Sequence, residues 1–253
     1  MYNVYDFIIL KGNRNMGVLI LAFAVSLIPF TLLYLFLRNK LNKDEEYKKL
    51  CDKSLGQGAL CIFPVLLFSF IGNVLLNLTG IKTANPLLYR ALYDFIVLAF
   101  AEELAKYLAF RRVLKNTDYK YSWLDVTAFM TAVGIGFGSL ESVVYAIGAS
   151  VPVILIRGIC LPHAGYGFVT GYFYGKSVKT GKPFYKVLGF VISWFLHGFY
   201  DFSLSDEFAA INENLFFVAL LLALAEIVLV IRFVVIARKA RNDARYTEPL
   251  NNN

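Results

Sequence analysis

The sequence predicts an all-α polytopic membrane protein of about seven transmembrane helices, its N-terminus outside and its C-terminus in the cytoplasm. Hydrophobic residues make up 58% of the 253 positions, and the mean hydropathy is +0.59, values that fit the membrane class and not a soluble domain. Apolar runs long enough to cross a hydrocarbon layer of about 30 Å recur along the whole chain. The basic residues behind the formal charge of +7 gather in alternate loops, as the positive-inside rule requires and as a nucleic-acid-binding surface does not.

The elements follow in order. After a short mixed arm, 1–15, the first run covers 16–37 and ends at Arg38. It exceeds signal-peptide length and lacks a small-residue cleavage site, so no cleavable leader is expected. The stretch 38–58 is dense in Lys, Asp and Glu and reads as a charged cytoplasmic loop, with a short surface helix as the alternative. Further spans are expected at 59–78, 87–110, 124–148, 152–175, 185–202 and 215–236. The residues 237–253 read as a basic, disordered cytoplasmic tail, and the whole chain as a single integral membrane domain. No repeat of 20–50 residues is visible. The isolated cysteines Cys51, Cys61 and Cys160 suggest reduced packing residues and no disulfide or CxxC metal framework.

The chemistry concentrates in four polar stripes inside apolar segments. In the third span, DFIVLAFAEELAKYLAFRR sets Glu102 and Glu103 before Lys106. A carboxylate near a bilayer's centre costs about 2.5–3.5 kcal/mol on insertion scales, so adjacent glutamates there demand partners, water or a function. Lys106 stands one helical turn away and can reach either acid. In the fourth span, Gly134, Gly138 and Glu141 share one side, with Phe137 a turn before the acid. In the fifth, His163 heads a line of Gly167, Gly171 and Gly175; in the sixth, Gly189, Ser193, His197 and Asp201 follow at four-residue spacing. Small residues so spaced let helix backbones approach closely in a membrane. They account for packing, and leave the acids and imidazoles to be explained.

The chain has two histidines, and both read as mid-span. One water-containing cavity lined by Glu102, Glu103, Glu141, His163, His197 and Asp201 is therefore expected. At about 1.5 Å per residue, Glu102 lies about 13 Å from its basic edge, and the histidines about 18–20 Å from theirs. Helix tilt must close that gap for all six groups to meet. Two chemistries suit the set: zinc held by carboxylate and imidazole, polarising a carbonyl and acidifying a bound water, or a buried glutamate accepting a proton from water while imidazoles donate to the oxyanion. Both amount to peptide hydrolysis inside a membrane. HExxH, the most direct zinc signature, is absent. A proton- or ion-coupled transporter would use the same groups as a relay, and a non-catalytic membrane binding partner could keep the same fold.

Taken together, AEELAKYL, GIGFGSLES, RGICLPHAGYGFVTGYFYG and HGFYDF resemble the PrsW-type intramembrane proteases, distant relatives of the CAAX prenyl proteases and bacteriocin-processing membrane proteins. The resemblance covers roughly 101–202, the expected catalytic core. It implies that Glu102 and Glu103 include the water-activating acid, and that Glu141, His163 and His197 complete the catalytic or metal-binding group, for which Zn2+ is the metal the residue types suit. Asp201 stands where the wider superfamily has Asp or Asn, and Arg157 matches an Arg that often precedes the histidine. The resemblance further implies a bacterial plasma membrane location and a membrane-anchored protein substrate, an anti-sigma factor in the best-known branch.

Overall fold

The computed structural model describes residues 16–42, 44–146, 151, 154–155, 161–212 and 216–250, and these are helical almost throughout, with no strand among them. Helix α1, Met16–Phe36, passes into a π-helical turn, Leu37–Leu41. Helices α2 (Glu45–Leu60) and α3 (Ile62–Leu78) run nearly end to end. Two short helices, α4 (Ile81–Ala84) and α5 (Pro86–Leu92), lead into a π-helical segment, Tyr93–Ala99, and directly into α6, Phe100–Lys115. Then come α7 (Trp123–Ala146), α8 (Pro162–Thr180), α9 (Phe184–Ser203), α10 (Asp206–Ala209), α11 (Phe216–Ala240) and α12 (Ala244–Thr247). Among the described residues, three helical stretches are long and apolar enough to cross a membrane: Ile20–Leu41, Glu45–Leu78 and Trp123–Val143.

Residues 45–58, expected within a charged loop, instead form most of α2. Asp44 caps the helix by accepting from the backbone N–H of Glu46 and Tyr47, and Glu45 and Glu46 occupy the first turn, where the helix dipole favours acids. Tyr47, Leu50, Cys51, Ser54 and Gly58 fall at three- and four-residue spacing and are buried, so the charges line only the outer face. This inner face meets α7 backbone to backbone. A Cβ on Gly58 would stand 2.0 Å from the Val133 carbonyl oxygen, and one on Gly136 would stand 2.0 Å from that of Leu55.

Helix α7 is the central post. Ser122 and Asp125 cap it reciprocally, backbone N–H to side-chain oxygen, at 2.9 and 3.2 Å. Every described side chain from Leu124 to Gly138 is buried. The glycine line of α8 lies against it: a Cβ on Gly167 would meet the Met130 carbonyl at 2.6 Å, and one on Gly175 the Trp123 ring at 2.2 Å. By contrast, Leu67, Phe70 and Leu75 of α3 stay exposed, a surface suited to lipid. Beyond Ala240, where the sequence reads as a disordered tail, the chain turns back through α12. Leu250 donates its N–H to the Tyr121 carbonyl at 2.9 Å and is buried.

Candidate active site

The acids are positioned by a defect in regular helix. The π-helical segment Tyr93–Ala99 ends just before Glu102 and Glu103, and such segments re-aim the side chains that follow them. Its partner is α9: Trp194 donates its indole N–H to the Phe95 carbonyl at 2.6 Å. Gly198 allows the Phe95 ring within 2.7 Å of where a Cβ would be. This docking brings His197 opposite the two glutamates.

The second imidazole arrives differently from the mid-span placement the sequence suggests. His163 lies in the first turn of α8, directly after Pro162 at the helix start. Before it, Leu161 holds a left-handed backbone with φ 49°, a conformation that costs a non-glycine residue about 1–3 kcal/mol and concentrates at functional sites. The backbone of His163 touches α7, because a Cβ on Gly134 would sit 2.0 Å from its carbonyl oxygen.

All six predicted residues converge. Lys106 Nζ lies 2.6 Å from Glu103 Oε1 and 3.9 Å from Glu102 Oε2. It also lies 2.9 Å from His163 Nδ1. An ammonium group can only donate, so His163 Nδ1 accepts here and Nε2 carries the hydrogen toward Glu141 Oε2 at 2.6 Å. His197 Nδ1 lies 2.9 Å from Glu103 Oε1, while its Nε2 faces Asp201 Oδ2 at 3.2 Å and Glu102 Oε2 at 3.6 Å. The two imidazole centroids are 5.1 Å apart. Glu102, Glu103, Lys106, His163 and His197 are each at most 3% exposed. Asp201 and Glu141 side chains, at 18% and 12%, form the more open rim. The six groups meet although their counts from the basic loops differ, because the packing of α6, α7, α8 and α9 and not the distance to a loop sets which side chains touch. Arg157 lies outside the described residues.

One donor of each of Glu102, His163 and His197 falls within 4.8 Å of the others. Glu141, which the family resemblance places in the catalytic or metal-binding group, accepts the hydrogen bond of His163. The Glu102 and Glu103 Oε2 atoms are buried and unpartnered within the protein, and buried polar atoms of that kind are normally met by water or an ion. Two imidazoles and a carboxylate with such an orphan oxygen fit a zinc ion once one His163 nitrogen exchanges its present hydrogen bond, to Lys106 or to Glu141, for the metal.

Two further groups escape the sequence reading. The Tyr166 ring stacks on His197 at 5.0 Å and 20°, and its hydroxyl donates a short hydrogen bond to Glu226 of α11. Glu226 is 3% exposed, and its other oxygen is unpartnered within the protein. The signal was present: Glu226 is the one acid in the apolar run 215–236, the criterion that singled out Glu102.

A bundle of apolar helices that encloses two glutamates, two histidines, a lysine and a peripheral aspartate defines a multi-pass membrane protein with a buried acid–imidazole centre. Within that class, the chain belongs to the PrsW family intramembrane metalloproteases, whose family model matches residues 47–234. It is 26% identical over 152 residues to Protease PrsW of Oceanobacillus iheyensis, covering 58% of this chain and 66% of that protein. Against Protease PrsW of Geobacillus kaustophilus it is 28% identical, covering 58% and 63%, and against that of Shouchella clausii 30% identical, covering 59% and 67%. The chain therefore spans about two thirds, or slightly less, of the length of these relatives. No solved structure matches it.

Proposed function

We propose that the chain is an intramembrane endopeptidase that hydrolyses a peptide bond of a membrane-anchored protein in a bacterial plasma membrane. An anti-sigma factor is the substrate type suggested by the family resemblance. Seven spans, with the N-terminus outside and the C-terminus in the cytoplasm, remain the topology that the loop charges support. The observation that carries the reading is the buried meeting of Glu102, His163 and His197 within 4.8 Å, in a chain of this family.

In the metal-free mechanism Glu102 is the proton acceptor for the attacking water, because no protein donor lies within hydrogen-bond distance of its Oε2, the nearest being His197 Nε2 at 3.6 Å. Glu103 is the organiser: one oxygen holds both the Lys106 ammonium and His197 Nδ1, which fixes the imidazole's orientation. Glu141 does the same for His163. Lys106 places a positive charge beside the point where an oxyanion develops, and that charge is worth more in a water-poor site. Asp201, at the open rim beside His197, guides proton traffic between the centre and entering water. In the metal-assisted alternative Glu102, His163 and His197 would instead hold a zinc ion, Glu102 serving as ligand and not as proton acceptor, and the ion when bound would supply a polarised carbonyl and a more acidic water.

Peptide termini mapped in membranes of cells making the native chain, Glu102→Gln or His197→Ala test the reading. Juxtamembrane cleavage products should appear with the native chain and disappear with both variants at equal protein level. Products that persist in Glu102→Gln, or that never appear with the native chain, overturn it.

A further inference from the structure

The last turns of α1 with its π-helical turn, and the last turns of α11, line a cleft of about 630 Å³ to which no residue of the catalytic centre contributes. Its wall is apolar, from Leu32, Leu35 and Phe36, and its mouth carries Lys40, Arg238 and Arg241. No carboxylate lines it. Two cations near these chain segments in sequence are neutralised: Arg38 grips Asp52 at 2.7 and 3.0 Å, and Arg245 grips Asp243 at 2.6 Å. Among the described residues, Lys40, Arg238 and Arg241 have no such acid partner. The Arg238 guanidinium lies 5.4 Å from the Phe36 ring centroid, a contact that presets the direction of its fork.

We infer that this cleft binds one phospholipid with an anionic headgroup. Three unpaired cations above an apolar wall match both halves of such a molecule. A phosphate takes the guanidinium forks bidentately, and an acyl chain runs along Leu32 and Leu35, which are 63% and 45% exposed. Basic pockets between membrane helices at the cytoplasmic edge have this chemistry, and the cleft sits where the alternate-loop charge pattern puts that edge. A zwitterionic lipid lacks the net charge to compensate three cations, so the site selects for charge as well as for chains. The inference is independent of the proposed protease activity.

The full-length protein in detergent, titrated with dioleoylphosphatidylglycerol and read by native mass spectrometry, tests it. The variants are Lys40→Ala/Arg238→Ala/Arg241→Ala and, as a charge-matched control, Lys49→Ala/Lys120→Ala/Lys182→Ala. Each basic residue near an anionic headgroup contributes about fivefold, so the cleft variant should lose one lipid equivalent, with binding about a hundredfold weaker. The control should match the native protein. Circular dichroism verifies that both variants remain folded, as expected for exposed side chains. Equal phosphatidylglycerol binding in the two triple variants overturns the inference. So does equally tight retention of dioleoylphosphatidylcholine, or displacement of the lipid by millimolar inorganic phosphate, which would mark a free-anion site.

Discussion

Replacing Lys106 with methionine keeps the length and packing of the side chain and removes its charge. The lysine has no exposed surface, and its Nζ is within 2.6 Å of Glu103, 2.9 Å of His163 and 3.9 Å of Glu102. Its ammonium also lies 4.5 Å from the Phe137 ring centroid. Without it, two adjacent buried glutamates lose their one internal lysine, and breaking a buried pair from one side costs about 3–5 kcal/mol. At about 2–4 °C per kcal/mol for a chain of this size, the melting point should fall by about 6–20 °C. Thermal unfolding in detergent, followed by circular dichroism, measures this. The companion variant Glu103→Leu/Lys106→Met removes both charges. It should recover most of the loss, because apolar replacement of a whole buried pair is often neutral or better. It should not recover proteolysis, since His197 Nδ1 then has no acceptor. A Lys106→Met protein melting within 2 °C of the native one, or a double variant no more stable than the single, refutes the assignment of Lys106 as the charge keystone.

Three other outcomes follow from the geometry. Gly134→Ala forces α7 and α8 apart at the His163 carbonyl, 2.0 Å from the new Cβ, and should cost about 1–3 kcal/mol or more with a matching loss of activity. Gly56→Ala, with open space around it, should leave the melting point unchanged or raise it slightly, by about 0.5–1 kcal/mol of helix preference. Tyr166→Phe keeps the ring against His197 and strands Glu226 without its donor. With cleavage kinetics as the assay, kcat should fall while KM stays close to native, and Glu226→Gln, which still accepts the tyrosine hydrogen, should retain more activity than Glu226→Ala.

Much of the centre was legible because burying ionisable groups in apolar helices is costly enough to mark them. Glu102, Glu103, Lys106, Glu141, His163, His197 and Asp201 all stood out on that ground, and all meet. What the pattern lacked was depth and division of labour. Loop charges locate helix ends but not the start of α8 at Pro162, so His163 reads as mid-span where the structure puts it in a first helical turn. The roles of Glu102 and Glu141 depend on side-chain direction across three helices, which spacing within one helix does not encode. Helix α2 was missed because its Lys, Asp and Glu dominate the composition, although Tyr47, Leu50, Cys51, Ser54 and Gly58 carry the helical period. The contribution of α11 lies beyond the motifs, which end at Phe202, so the single acid Glu226 has no motif to mark it.

Metal content tests the central claim most directly. The native protein, purified in detergent without chelator, should carry about one zinc per chain. His163→Ala/His197→Ala and Glu102→Ala should carry almost none, whereas Glu141→Gln should keep most of it. Zinc retained by the double-histidine variant, or a metal-free native protein that still cleaves in the presence of chelator, would contradict a zinc centre built from Glu102, His163 and His197.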